Sequence, residues 1–102
     1  MDLKTKIQDD ISTNQVMLYM KGTKEMPMCG FSATVVNILG MHKINYKVVN
    51  VLENPQIRQE LTEVSNWPTI PQLFYNGELI GGCDIAVELH NSGKLAEIFK
   101  SK

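Results

Sequence analysis

Leu3, Ile7 and Ile11 recur at helical spacing, and the apolar run Val16 to Met20 behind them is too short for a helix of its own. The pattern predicts a helix, then a buried strand, then a loop over Lys21 to Met28. From Gly30 onward Phe31, Val35, Ile38, Leu39 and His42 fall on one helical face, and Tyr46 to Val51 carries the β-branched and aromatic content of a second strand. Strand, helix, strand is the signature of a right-handed parallel crossover. Asn54-Pro55 is a cap and first-turn pair, Ile57, Leu61 and Val64 mark one face of the helix it opens, and that helix should end near Ser65-Asn66.

The second half changes period. Gln72 to Tyr75 and Glu78 to Gly81 flank Asn76-Gly77, a strong hairpin signal, so these two strands should pair antiparallel. Asp84 is expected to cap a helix beginning at Ile85, and Gly93 divides it from a last helix carrying Leu95, Ile98 and Phe99. The expected fold is α/β, a mixed four-stranded sheet flanked by helices. No internal repeat or linker divides it, so residues 1–102 are expected to form a single domain.

Composition narrows the function. A chain of 102 residues with 43% hydrophobic content can build one core. Ten basic and eleven acidic side chains leave a net charge of -1, without the basic excess of a protein that holds nucleic acid by its phosphates. No apolar block is long enough for a membrane span or a signal peptide. Two cysteines, Cys29 and Cys83, are too few for a disulfide framework, which fits a reducing, cytoplasmic setting.

Cys29 carries the candidate chemistry. Between a loop and a helix its sulfur would sit beside unpaired backbone N–H groups and the positive end of the helix dipole, which favours thiolate. Gly30 leaves the sulfur uncovered, and Pro27 stiffens the approach. The usual redox pair has two cysteines separated by two residues, but here the sequence is Cys29-Gly30-Phe31-Ser32. Ser32 cannot be oxidised, so a mixed disulfide at Cys29 must be resolved by an external thiol or by Cys83, which asks for a small-molecule thiol partner.

Lys21-Gly22-Thr23, Pro27 to Ser32, Trp67 to Leu73 and Gly81 to Asp84 together resemble the monothiol glutaredoxins with a Cys-Gly-Phe-Ser site, in their short single-domain form. The order and spacing match along the whole chain. The loop Thr23-Lys24-Glu25-Met26 departs from many relatives, which have a proline just after the threonine. The resemblance implies a thioredoxin-like fold and a glutathione site. Lys21 occupies the family's position beside the thiolate, where it can lower the cysteine pKa and meet a carboxylate. Arg58 could grip a carboxylate in two places. Ile70 precedes Pro71 across a bond that is typically cis in this fold family, leaving its backbone edge to pair with an extended peptide. The Cys83 backbone and Asp84 stand at a helix start, suited to an anion and to the ligand's amine. The Cys83 sulfur itself is left unassigned.

An iron–sulfur cluster needs about four thiolate ligands, and one well-placed cysteine cannot hold it alone. Two copies of Cys29 with two glutathione sulfurs supply four. That matches what the resemblance implies: a 2Fe-2S cluster bridging a homodimer, built for transfer and biogenesis, with a BolA-like protein and apo iron–sulfur clients as partners and neither nucleic acid nor membrane among them. The alternative is a glutathione-dependent monothiol oxidoreductase that removes glutathione from protein mixed disulfides. A binding module with an incidental thiol ranks last. His42 and His90 are assigned structural roles, Met26 and Met28 adaptable packing rather than copper(I) ligation, Trp67 a core or loop anchor, and Phe31 helix packing.

Overall fold

A computed structural model describes residues 2–100. Five helices, α1 (Leu3–Thr13), α2 (Gly30–Met41), α3 (Pro55–Ser65), α4 (Cys83–Asn91) and α5 (Lys94–Lys100), pack on four strands, β1 (Val16–Met20), β2 (Lys47–Asn50), β3 (Gln72–Tyr75) and β4 (Glu78–Gly81). The sheet order is β2-β1-β3-β4, parallel between β1 and β2 and antiparallel across the other two pairs.

All five residues of β1 are buried because the strand is central and covered on both faces. Its pleat divides them. Val16, Leu18 and Met20 enter one core with Val35, Leu39, Ala86 and Leu95, while Met17 and Tyr19 enter another with Ile7, Ile11 and Leu61. Helices α2, α4 and α5 thus cover one face, and α1 and α3 the other.

Local chemistry sets the element ends. Asp2 caps α1 by accepting from the Thr5 N–H (2.8 Å), and Asn54 caps α3 by accepting from the Gln56 N–H (3.0 Å) with Pro55 behind it. Asn66, at φ 56°, closes α3 in the left-handed conformation. Asn76 and Gly77 both have positive φ, the type I′ turn that a two-residue hairpin favours. β2 is shorter than Tyr46 to Val51, because the Asn50 side chain accepts from the Leu52 N–H (3.0 Å) and bends Val51–Glu53 into a 3-10 turn.

Two expectations are corrected. Phe31 is not on the buried face of α2: it is 62% exposed, and Ser32, fully buried, takes the place one turn ahead of Val35. That place borders the end of β1 and needs a hydrogen-bond acceptor, which a phenyl ring lacks. Asp84 does not cap α4, which begins at Cys83 with Gly82 in the cap position. A Cβ on residue 82 would come within 3.1 Å of the Pro71 carbonyl oxygen, so the cap falls on the glycine and Asp84 moves into the first turn.

At the far end of α2 and α4, His42 Nε2 lies 3.1 Å from His90 Nδ1, with the His42 ring edge-on to Phe99. A hydrogen bond here needs one nitrogen to donate and the other to accept, so at least one ring must remain neutral. Burial, and secondarily His90, hold His42 below the ordinary imidazole range. The unfolded chain therefore binds this proton more readily than the folded one. Stability is complete above the unfolded value of about 6.5 and declines as pH falls below it. Urea unfolding midpoints measured from pH 7 to pH 5 should fall for the wild type, and His42→Gln should flatten that slope.

Candidate active site

The site begins where β1 ends. The Lys21 N–H donates to the Ser32 hydroxyl (3.1 Å), and the Lys21 carbonyl accepts from the Met28 N–H (2.8 Å), so one residue is fastened to the first turn of α2 and to the segment before it. Gly22, at φ +95°, is packed so closely that a Cβ would lie 2.4 Å from the Met26 carbonyl oxygen and 2.6 Å from the Met28 nitrogen. Its N–H donates to the Asn50 side chain (2.9 Å). Reciprocal backbone bonds between Thr23 and Met26, 3.1 and 3.2 Å, close the loop that lacks the usual proline, and Lys24 Nζ stands 4.0 Å from the centre of the Tyr46 ring.

These contacts deliver Cys29 to the cap position of α2 in an extended conformation, φ -153° and ψ 137°. Its sulfur makes no full capping hydrogen bond but lies within the influence of the N–H groups at the helix start. The Ser32 N–H does most to hold the thiol below its ordinary range, helped by the Phe31 N–H, the Lys21 charge and the Ser32 hydroxyl, while burial opposes them. Cys83 is pushed the other way, by burial first, then by the charges of Asp84 and Cys29, with the Thr34 hydroxyl partly offsetting them. Both thiols are free, and only Cys29 is shifted toward the thiolate.

Beside it runs a groove of about 180 Å³ whose walls include Phe31, Trp67, Thr69, Ile70, Cys83 and Asp84. Across Trp67 lies a second, more open cleft of about 640 Å³ that holds Arg58, Gln59 and Thr62. The Ile70-Pro71 bond is cis, and the Ile70 backbone makes no hydrogen bond to the described residues. Ile70, Cys83 and Asp84 therefore share one groove, Arg58 faces the adjoining cleft, and Lys21 acts on the thiolate itself.

Three groove residues carry more than the sequence assigned them. Trp67 joins the two clefts rather than serving only as an anchor, and Thr69 and the exposed Phe31 line the groove. Ser32 was legible only as a missing cysteine, yet it fixes both the thiolate and the end of β1. Met26 and Met28 are 67% and 61% exposed, the Met28 side chain lying against Gly22, and they form an apolar rim before Cys29. Iodoacetamide alkylation followed by peptide mass mapping should show Cys29 reacting at lower pH than an ordinary thiol and Cys83 at higher pH. Ser32→Ala should raise the Cys29 midpoint and cost about 1 kcal/mol of stability for the lost bond to Lys21.

The glutaredoxin family model matches residues 16–80. A probable monothiol glutaredoxin 2 of Rickettsia felis is 52% identical over 94 residues, covering 92% of this chain and 90% of that protein. Glutaredoxin 4 of Escherichia coli K12 is 47% identical over 95 residues, covering 93% of this chain and 83% of that one. The solution structure of reduced poplar apo GrxS14 superposes with a TM-score of 0.83 at 50% identity, covering 96% of this chain and 90% of the poplar chain. With one poised thiolate, a serine in place of the second cysteine and relatives named for the same arrangement, this chain belongs to the glutaredoxin family, in its monothiol branch.

Proposed function

We propose that this chain binds glutathione beside Cys29 and that two copies carry a 2Fe-2S cluster as cargo between iron–sulfur assembly and client proteins. The observation that carries the reading is the pairing of a Cys29 thiol held below its ordinary range with a buried serine three residues on. The chain has an activated sulfur and, three residues on, a serine where a local resolving thiol would stand.

Glutathione is a tripeptide with two carboxylates, an amine and a thiol. The unpaired Ile70 backbone suits its peptide, as an added strand would. The N–H of Cys83 at the start of α4 suits a carboxylate, and Asp84, exposed beside it, suits the amine. Arg58 in the adjoining cleft and Lys21 beside the thiolate are the cations for the remaining carboxylate.

The donor set fits a shared cluster. Among the described residues no three His, Cys, Asp or Glu side chains gather as a metal site, and the Cys83 thiol is held protonated. One chain thus offers one thiolate, whereas a cluster takes about four sulfur ligands. Two Cys29 thiolates and two glutathione sulfurs complete the set, and half of it is exchangeable, which favours delivery over storage. The exposed Met26, Met28 and Phe31 around Cys29 give a second copy, a BolA-like protein or an apo client an apolar rim to cover. No helix among the described residues is long and apolar enough to cross a membrane. A sulfur that works as a free thiolate suits a reducing, cytoplasmic setting.

The same thiolate supports a second reading. Cys29 attacks the glutathionyl sulfur of a protein mixed disulfide; the protein thiolate leaves and takes up a proton. A second glutathione thiolate then attacks the Cys29 mixed disulfide, releasing oxidised glutathione and restoring the Cys29 thiolate.

Anaerobic reconstitution with iron and sulfide, with and without glutathione, separates the two. Visible absorption and size-exclusion chromatography on one sample should show a coloured dimer that requires both glutathione and Cys29, absent in Cys29→Ser. A colourless monomer under every condition would overturn the carrier reading and leave thiol exchange as the activity to assay.

A further inference from the structure

The loop over residues 66–71 presents Trp67, Thr69 and Ile70 to the groove, yet it can do little to hold itself in shape. Pro68 and Pro71 have no N–H to donate, and the loop lies outside the strands. Its support comes from beneath. Gln72, the first residue of β3 and fully buried, donates from Nε2 to two carbonyl oxygens of the loop, Trp67 at 2.9 Å and Thr69 at 3.1 Å. The Trp67 N–H in turn donates to the Ser65 hydroxyl (3.2 Å).

This is an unusual use of a core position. β1 and β3 pair at Tyr19 and Gln72, and an apolar side chain at 72 would continue the core without a polar cost. Gln72 instead buries an amide whose Oε1 has no partner among the described residues. Both of its N–H groups are used, and both go to the groove loop. The unmet oxygen is a standing cost, and the position of two groove residues, Trp67 and Thr69, is what it secures.

We propose that Gln72 is a positioning residue for the ligand groove: without touching glutathione, it fixes the backbone from Trp67 to Ile70 in the arrangement the tripeptide pairs with. The inference rests on the glutathione reading above. It separates from a general structural role because the Cys29 thiolate is set by other contacts, through Ser32, Phe31 and Lys21. Loss of Gln72 should therefore divide two properties that a loosened fold would lose together.

The test compares wild type with Gln72→Met, which keeps length and volume but has no donor. S-methylglutathione, unable to react with Cys29, is titrated against the apo protein by NMR. Iodoacetamide alkylation of Cys29 is timed without ligand, and hydrogen exchange is followed at the Trp67 amide, which donates to Ser65. Gln72→Met should bind S-methylglutathione roughly tenfold more weakly or worse, as displaced contacts do. Its Trp67 amide should exchange faster, and its alkylation rate should stay within about twofold of wild type, since the two sites share no partner. Equal affinity in the two proteins overturns the proposal, and so does a parallel fall in Cys29 reactivity. If wild type itself fails to bind, the glutathione reading fails, and unchanged Trp67 exchange in the variant would still refute the positioning role. Should Gln72→Met not fold, Gln72→Glu supplies the same comparison: its carboxylate faces two carbonyl oxygens at neutral pH, and binding should partly return as it protonates.

Discussion

One part-buried hydrogen bond organises the functional end of this molecule: the Lys21 N–H to the Ser32 hydroxyl. The loop between the end of the central strand and α2 is exposed along Thr23 to Met26 and is tied by its own backbone to Lys21, while this bond joins Lys21 directly to the first turn of α2. With that bond made, the N–H groups of Phe31 and Ser32 point to where Cys29 arrives, and Lys21 lies close enough for its charge to matter. A hydroxyl meets both needs at once, accepting from the strand and adding to the field at the sulfur. The serine that removes dithiol chemistry is therefore also the residue that makes single-thiol chemistry work.

The two cysteines show how finely such a field depends on position. Each stands at the start of a helix, Cys29 in the cap position of α2 and Cys83 one residue inside α4. A side chain at the cap folds back over the N–H groups of the second and third helical residues, which for α2 are Phe31 and Ser32. One residue further on, that geometry is lost, and Cys83 meets burial and the neighbouring Asp84 charge instead. The same dipole that favours thiolate at the first position is outweighed at the second. Proximity to a helix N-terminus is thus an incomplete predictor of thiol reactivity, and the cap register decides it.

What the sequence made legible follows from interactions local to it. The Asn76-Gly77 turn, the Asn54-Pro55 cap and the apolar run of β1 are each determined within a few residues, and each forms as its pattern predicts. Cys29 and the groove residues Ile70, Cys83 and Asp84 were also legible, by motif. What stayed hidden depends on contacts between distant segments. Phe31 outranks Ser32 in hydrophobicity, but the end of β1 requires an acceptor, so the serine is buried and the phenyl ring exposed. Asp84 is the better capping residue, but the cap position lies against the Pro71 carbonyl, where Gly82 fits without crowding. His42 and His90 read as unrelated because 47 residues separate them in the chain, and only the packing of α2 on α4 makes them a pair.

Sheet topology explains why residues from such distant segments meet at all. β1 and β3 are antiparallel, with Tyr19 opposite Gln72, so the chain leaving β1 and the chain entering β3 are at the same end. β4 returns antiparallel to β3, with Gly81 opposite Leu73, and brings the start of α4 back to that end as well. The thiolate loop, the Ile70 loop and the Cys83 helix start are thereby gathered without any of them crossing the sheet, and the helices that begin there carry His42 and His90 to the opposite end. Of the three segments, two are tied by their own backbones: the Cys29 loop to Lys21 and Thr23, and the Cys83 turn into a helix. The third, broken by two prolines, takes its shape from a side chain rooted in the sheet. A groove assembled from three such edges is as well defined as its least supported one, which is why the proposed positioning role falls to Gln72, away from the Cys29 sulfur.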